Sequence, residues 1–179
     1  MFTKIYCQNL FLLFILTVIF ITTYAVLNVI FNNSKIFRAV GFICIFISLW
    51  GILSFTLFNR EVSTYGIELV PFYGLFMPNP PPEYYRTLFL NCLLYIPFGT
   101  FLPYMLSRKY EILNIIVTVL LSLVISITIE SLQYYFSIGV FETDDIIFNT
   151  LGGFVGASGY LLFNYLKKKL NIKIKPPKL

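Results

Sequence analysis

The feature that most constrains this chain is a series of apolar runs long enough to cross a lipid bilayer. A hydrocarbon core of about 30 Å needs about 20 helical residues. Runs of that order occupy residues 10–30, 36–58, 86–106, 112–136 and 145–166. Charged residues make up 12% of the chain, whereas soluble domains contain about 25%. The sequence therefore predicts an all-α fold, a polytopic integral membrane bundle of about five transmembrane helices, as one domain over residues 1–179.

The first run, residues 10–30, has a second interpretation as a cleaved signal peptide. The run is longer than the apolar core of a typical signal peptide, and no A-x-A cleavage motif follows it. We therefore expect a helix that is retained in the membrane.

Two residue types limit the chemistry that the chain can perform. Histidine is absent, which excludes histidine as a general base, as the activator of a nucleophile or as a metal ligand. The cysteines Cys7, Cys44 and Cys92 are far apart and lie in or beside apolar runs. We interpret them as packed apolar side chains rather than as disulfides or metal ligands.

The basic residues predict an orientation rather than a nucleic-acid partner. Six of the 13 Lys and Arg residues lie in the tail, residues 167–179, so the net charge of +5 is not spread over a polar domain. With the carboxyl terminus in the cytoplasm, ten basic residues are inside and three outside, which the positive-inside rule favours. We expect a multi-pass protein of the plasma membrane, with an external amino terminus, a basic cytoplasmic tail and an external loop at residues 59–85.

That external loop is the longest stretch between the predicted spans. It contains an apolar piece too short to cross the membrane, residues 69–77. The proline run that follows, residues 78–82, is expected to be extended and not helical. Long loops are usually functional or disordered, and the aromatic residues argue against disorder. We expect an interfacial segment that lies on the membrane and can fold over a site as a lid.

Polar residues interrupt three spans near their external ends. At 1.5 Å per helical residue, Asn91, Glu130 and Asn149 lie within about 10 Å of that surface, and Asp145 lies at the rim. An ionised group in hydrocarbon is costly and usually faces a partner, a cavity or a substrate path. We therefore predict a polar site under the external loop. Interhelical hydrogen bonding without any ligand is the alternative that the residues leave open.

Helical spacing groups these residues into faces. Ser122, Ser126 and Glu130 recur every fourth residue, and Gln133 joins the same face. The last span carries small residues at the spacing that lets a neighbouring helix approach closely. They are Gly152, Gly153, Gly156, Ala157 and Gly159.

Together these patterns resemble the VanZ-like family, which is named for a glycopeptide-resistance protein that lowers sensitivity to teicoplanin. The similar stretches are NCLLYIPFG from Asn91, ESLQ from Glu130, the run from Asp145 to NTLGG at Asn149, and LVPF at residues 69–72. The resemblance covers about residues 45–160. It implies a cell-envelope membrane protein of a Gram-positive bacterium, connected with susceptibility to glycopeptide and lipoglycopeptide antibiotics.

The chain departs from the family pattern at one basic position. Many members have an arginine before the acidic turn and an aspartate where Glu142 stands, but Gly139 or Val140 takes the arginine position here. A role for that arginine, such as pairing with an acid or binding a phosphate, applies to this chain only if Arg60 or Arg86 replaces it.

Two functions remain open at this point. The first is a non-enzymatic protein whose outward-facing site binds a lipid-linked wall precursor, a lipoglycopeptide or a partner protein. The second is an intramembrane hydrolase or transferase that acts on a lipid-linked head group. A transporter is less favoured, because no internal repeat is found. We expect membrane lipids as partners, no nucleic acid, and a chain able to form homo-oligomers.

Each candidate residue has an expected role in these hypotheses. In the enzyme hypothesis Glu130 is the general base and Asp145 a second catalytic carboxylate. Carboxylate oxygens suit Mg²⁺ or Ca²⁺, so Asp145 with Glu142 and Asp144 could hold a divalent cation; no other cofactor is indicated. The predicted substrate-binding residues are Asn91, Gln133, Asn149, Arg60 and Arg86.

Overall fold

The computed structural model describes residues 34–58, 66–106 and 110–169. The predicted span at residues 10–30, the Arg60 side chain and the end of the basic tail lie outside these ranges.

Four helices form the described bundle. They are α1 (Ser34–Leu53), α2 (Pro82–Met105), α3 (Glu111–Tyr135) and α4 (Thr143–Lys169). A π-helical turn, Ser54–Phe58, continues α1. Within the described residues, each of the four is long and apolar enough to cross a membrane. The prediction of an all-α membrane bundle is therefore confirmed.

The start of α2 corrects one detail of the sequence interpretation. The helix begins at Pro82 rather than near residue 86, so the proline run is not wholly extended. Proline is accepted in the first helical turn because its missing N–H would have no acceptor within the helix. Pro81, with φ −64° and ψ 140°, still has the expected extended conformation. The earlier start places Tyr84 in the first turn of α2.

Most polar side chains of α3 point into the bundle, whereas Thr128 and Ser131 are exposed. Leu120 and Val124, at its middle, are exposed, which is the reverse of the pattern in a soluble bundle and suits a lipid surrounding. The hydroxyls of Thr118 and Ser122 donate to the carbonyls of the residues four earlier, so their burial is compensated. Ile129 is the apolar exception among the buried residues of α3, the rest being Asn114, Thr118, Ser122, Ser126, Glu130 and Gln133.

The α2 and α4 helices run side by side in the same direction and form the most extensive helix pair of the described bundle. Tyr84 contacts Asp144 near their starts. Near their ends the rings of Tyr104 and Tyr160 meet edge to face, with centroids 4.6 Å apart. The shared direction brings both amino-terminal ends to the end of the bundle where α3 finishes.

Glycines make this close pairing possible. A Cβ atom on Gly152 would overlap the backbone carbonyl of Cys92, and one on Gly156 would overlap that of Ile96. A Cβ atom on Gly159 would meet nothing within 4 Å. The predicted contact of small residues is therefore present in the first half of α4 but does not extend to Gly159.

Two short strands connect the loop after α1 to the turn before α4. Strand β1 (Gly66–Glu68) pairs in parallel with β2 (Val140–Glu142), so that Gly66 lies opposite Val140 and Glu68 opposite Glu142. A 3-10 turn, Tyr73–Phe76, follows β1. The sequence analysis did not predict the strands, because three residues are too few for an alternating pattern to be recognised.

Candidate functional site

Apart from Glu111, the carboxylates of the described residues lie at one end of the bundle, where α2 and α4 begin and α3 finishes; we call it the acidic end. Residues 66–81, here called the cap segment, lie across it. The backbone carbonyl of Glu68 accepts a hydrogen bond from the Thr143 hydroxyl at 3.2 Å. Together with the β1–β2 pairing, this bond holds the cap segment against the start of α4, in the position that a lid would occupy.

Asp144 fastens the cap segment and α2 to the first turn of α4. Its Oδ1 atom accepts the backbone N–H of Phe72 at 2.6 Å, and its Oδ2 atom accepts the Tyr84 hydroxyl at 2.5 Å. Phe72 has a left-handed conformation, φ 59°, which is unfavourable for a residue other than glycine. The ring of Phe72 also packs edge-on against Phe148, with centroids 6.5 Å apart. Both oxygens of Asp144 are thus used to hold the structure together.

A second group of side chains lies deeper in the bundle. Glu130, 1% exposed, accepts the backbone N–H of Glu142 through Oε2 at 3.1 Å. Asp145 is also buried, and successive helical residues are rotated by about 100°, so it lies on a different face from Asp144. The fully buried Tyr95 hydroxyl is within electrostatic reach of Glu130 and Asp145. Glu130 and Asp145 therefore both lie within electrostatic range of the Tyr95 phenol, below the cap segment.

Sequence reasoning missed Tyr95 and Tyr84. Tyr95 lies four residues after Asn91 and so shares its helical face, a signal that could have identified it. Tyr84 had no such signal, because it was assigned to the loop before the helix.

Asn149 connects α4 to α3. Its Nδ2 atom donates a hydrogen bond to Ser126 Oγ at 2.9 Å. Asn149 is 2% exposed, and its Oδ1 atom makes no hydrogen bond with the described residues. The NH₂ group of the Asn149 amide thus joins two helices, and its oxygen remains available as an acceptor.

Gln133 connects α3 to the end of α1. Its Nε2 atom donates to the backbone carbonyl of Thr56 at 3.0 Å. Thr56 belongs to the π-helical turn, and its own hydroxyl donates to the Ile52 carbonyl at 2.7 Å. The Oε1 atom of Gln133, also buried, has no hydrogen bond within the described part of the chain. Gln133 is therefore an interhelical contact that retains one acceptor.

Other buried polar atoms at this end also lack a hydrogen-bond partner among the described residues. Buried polar atoms are nearly always hydrogen-bonded, to protein or to water. A group of them without partners therefore marks a place where water or a ligand can bind. Among the described residues the group consists of Asn91 Nδ2, Gln133 Oε1, Asn149 Oδ1 and Thr150 Oγ1, together with Tyr95 Oη, which lies near the Ser126 side chain without a well-formed hydrogen bond.

Other candidate residues are not brought into this group. Arg86 is half-buried in α2 and makes no hydrogen bond or ion pair with the described residues. Asp144 is directed to the cap segment, and Glu142 contributes its backbone N–H. In the described ranges no three His, Cys, Asp or Glu side chains are placed to hold a metal ion. The divalent cation stays a prediction.

Comparison with known proteins agrees with the resemblance. The family model described as VanZ/LLP1 matches residues 10–164. The chain belongs to the VanZ/LLP1 family. The match begins well before residue 45, where the resemblance was expected to start. Protein VanZ of Enterococcus faecium, also a relative, is 34% identical over 80 residues. That stretch is 45% of this chain and about half of the relative's length, 47%. No solved structure matches the chain.

Proposed function

We propose that this VanZ/LLP1 family member lowers the susceptibility of its cell to lipoglycopeptide antibiotics such as teicoplanin, by binding a ligand at the acidic end of the bundle. Family membership supports the drug phenotype. The observation that carries the binding site is the set of buried, unpartnered polar atoms around Glu130 and Asp145, under a cap segment held by Asp144. The ligand is a lipid-linked wall precursor or the lipoglycopeptide itself.

The acidic end faces the outside of the cell in this proposal. The positive-inside rule supports that orientation, because the described basic residues Lys168 and Lys169 lie at the other end of α4. In this orientation Asn149 and Tyr95 lie towards the outer leaflet, and because both are buried a ligand reaches them only after the bundle opens.

The binding chemistry follows from the atoms at the site. The Oδ1 atom of Asn149 and the Oε1 atom of Gln133 are acceptors, the Asn91 amide is a donor, and the hydroxyls of Tyr95 and Thr150 can act as either. Such a set fits a ligand rich in hydroxyl and amide groups, as sugars and peptides are. A ligand that satisfies these atoms replaces water with direct hydrogen bonds.

A second candidate is an intramembrane hydrolase or transferase that acts on a lipid-linked head group. It is favoured by Glu130 and Asp145, which both lie within electrostatic reach of the Tyr95 hydroxyl. In this mechanism Glu130 removes a proton from the attacking water or hydroxyl group, as a general base. A Mg²⁺ or Ca²⁺ ion held by Asp145 and Glu142 would stabilise negative charge on the head group.

Teicoplanin susceptibility tests the proposal in a sensitive Gram-positive host. Strains would express wild type, Glu130→Gln, Asp145→Asn or an empty vector, with membrane levels matched by immunoblot. Glu111→Gln is the control, because Glu111 lies at the other end of α3, where it forms an exposed ion pair with Lys168 at 3.3 Å. We expect wild type and the control to raise resistance and Asp145→Asn to lose it.

The Glu130→Gln strain separates the two candidates. A glutamine oxygen can still accept the N–H of Glu142, so a binding role tolerates the change, whereas a general base does not. If both site variants keep full resistance, the buried residues serve packing alone and the proposed site is wrong. If wild type itself has no effect, the drug phenotype is wrong for this member.

A further inference from the structure

The outer surface of the cap segment is apolar and exposed, whereas its inner surface rests on the bundle. On the inner side, Gly74 lies against the ring of Tyr84, and Phe72 packs on Phe148. On the outer side Phe76 is 81% exposed and Leu69 is 64% exposed. The other exposed apolar side chains of residues 67–77 are Ile67, Val70, Tyr73, Leu75 and Met77.

We propose that residues 69–77, here called the apolar wedge, insert into the lipid leaflet that surrounds the acidic end of the bundle. This proposal is independent of the drug phenotype and of any ligand at the polar site. Three observations support lipid, rather than water or protein, as the occupant of this surface.

The first observation is the absence of charge. Residues 69–82 contain no Asp, Glu, Lys, Arg or His. A surface that binds a protein is usually surrounded by a polar rim. A segment that enters the acyl region, in contrast, must have no charged side chains within it. Glu68, the last acid before this stretch, accepts the N–H of Val70 at 3.2 Å.

The second observation is that much of the backbone is already satisfied. Unpaired N–H groups cost several kcal/mol in hydrocarbon, so an inserted segment must pair or lack them. Within the wedge Pro71 has no N–H, and the prolines that follow it at positions 78, 80, 81 and 82 have none either. Four further N–H groups have acceptors: those of Val70, Phe72, Tyr73 and Leu75 donate to Glu68 Oε1, Asp144 Oδ1, the Val70 carbonyl and the Phe72 carbonyl.

The third observation is that the wedge adjoins a lipid-facing surface. Exposed aromatic side chains cluster on the helices at the same end, as they do where transmembrane helices meet the membrane interface. The group consists of Tyr85 and Phe89 on α2 and of Tyr134, Tyr135 and Phe136 at the end of α3. Because Asp144 fixes Phe72 and Tyr84 together, the wedge is held at the depth of this belt.

Fluorescence quenching in vesicles tests the insertion. The chain contains one tryptophan, Trp50, so Trp50→Phe gives a silent background for a single reporter, Phe76→Trp. The purified full chain would be reconstituted in phosphatidylcholine, with acyl chains brominated near the head group or near the methyl end. Iodide, present on both sides of the membrane, reports contact with water. Leu69→Trp is the second reporter if Phe76→Trp does not fold.

Two positions on the helices calibrate the result. Val124→Trp lies on the exposed surface at the middle of α3, and Lys169→Trp lies at the opposite end of the bundle. We expect Val124→Trp to be quenched best by bromine near the methyl end and Lys169→Trp best by iodide.

The wedge reporter should be quenched several-fold more by bromine near the head group than by bromine near the methyl end, and less by iodide than Lys169→Trp is. Asp144→Ala, which releases Phe72 and Tyr84, should increase quenching by iodide. Quenching by iodide equal to that of Lys169→Trp, without quenching by lipid, would place the wedge in water and overturn the proposal. Protection from both quenchers would also overturn it, because protein rather than lipid would then cover the surface.

Discussion

The Tyr84 hydroxyl donates a hydrogen bond to Asp144 Oδ2 at 2.5 Å, joining the first turns of α2 and α4. The other oxygen of the same carboxylate holds the backbone of Phe72 in the cap segment. One acidic side chain therefore sets both the alignment of two helices and the position of the segment above them. A carboxylate at a helix amino terminus is also stabilised by the helix dipole, so Asp144 is well placed for this structural role.

Removal of the Tyr84 hydroxyl should weaken the fold. Tyr84→Phe keeps the ring against Gly74 but loses a hydrogen bond to a charged acceptor, which we expect to lower the free energy of unfolding by about 1–2 kcal/mol. Reversible unfolding by SDS in mixed micelles measures the change. Tyr85→Phe is the matched control, since Tyr85 is exposed and packs its ring on that of Tyr84. An equal loss for both variants would contradict the structural role of the Tyr84–Asp144 bond.

Close approach of α2 and α4 should make Gly152 intolerant of any side chain. Gly152→Ala places a methyl group on the backbone carbonyl of Cys92, and overpacking of this kind costs about 1–3 kcal/mol. Gly159→Ala is the control in the same helix, where the methyl group meets open space and the higher helix propensity of alanine adds up to about 1 kcal/mol. In thermal unfolding in detergent, Gly152→Ala should lower the melting temperature and Gly159→Ala should raise it. An unchanged melting temperature for Gly152→Ala would mean that the two helices are further apart than the structure shows.

The bond between Asn149 and Ser126 should appear as a coupling free energy. A double-mutant cycle with Asn149→Ala and Ser126→Ala separates this bond from the cavity that each truncation leaves. Hydrogen bonds between membrane helices average about 0.6 kcal/mol in such cycles, and we expect a value of that size from unfolding measurements. The cycle that pairs Asn149→Ala with Ser131→Ala should give no coupling, because Ser131 is exposed and donates to Ile127. Equal coupling in both cycles would argue against the bond.

Glu130 should have a structural role that glutamine can fill and alanine cannot. Glu130→Ala leaves the N–H of Glu142 without its acceptor, so we expect a loss of about 1–3 kcal/mol in unfolding free energy relative to Glu130→Gln. Glu111→Ala removes an exposed ion pair with Lys168, which is worth about 0–1 kcal/mol, and serves as the control. If Glu130→Gln proves as unstable as Glu130→Ala, loss of drug resistance in the glutamine variant could not be assigned to chemistry.

The faces of the helices were predictable because helical spacing is regular. Ser122, Ser126 and Glu130 are buried together on α3, as their spacing of four indicated. The interhelical bonds that were considered as an alternative to a site are also present, at Asn149 and Gln133. Interhelical bonds and unpaired acceptor atoms therefore occur in the same side chains, since the NH₂ group of each amide donates to a neighbouring helix while its oxygen has no hydrogen-bond partner among the described residues.

The partners of each carboxylate were not predictable in the same way. Asp144 and Asp145 are adjacent in sequence and were assigned together to a metal site, but one is turned to the cap segment and the other to the interior. The start of α2 at Pro82, which brings Tyr84 to Asp144, was not predicted, because the proline run was expected to be extended throughout. The pairing of β1 with β2 was hidden because each strand has three residues.

The sequence by itself determined that the chain is a bundle of membrane helices, and it determined the depth of the polar residues within them. Both follow from local properties, because the length of an apolar run and the rise per helical residue do not depend on the rest of the fold. The tertiary structure decided which polar groups meet. Contacts such as Tyr84 with Asp144 join distant parts of the chain, and their formation depends on how closely the glycines let α2 and α4 approach.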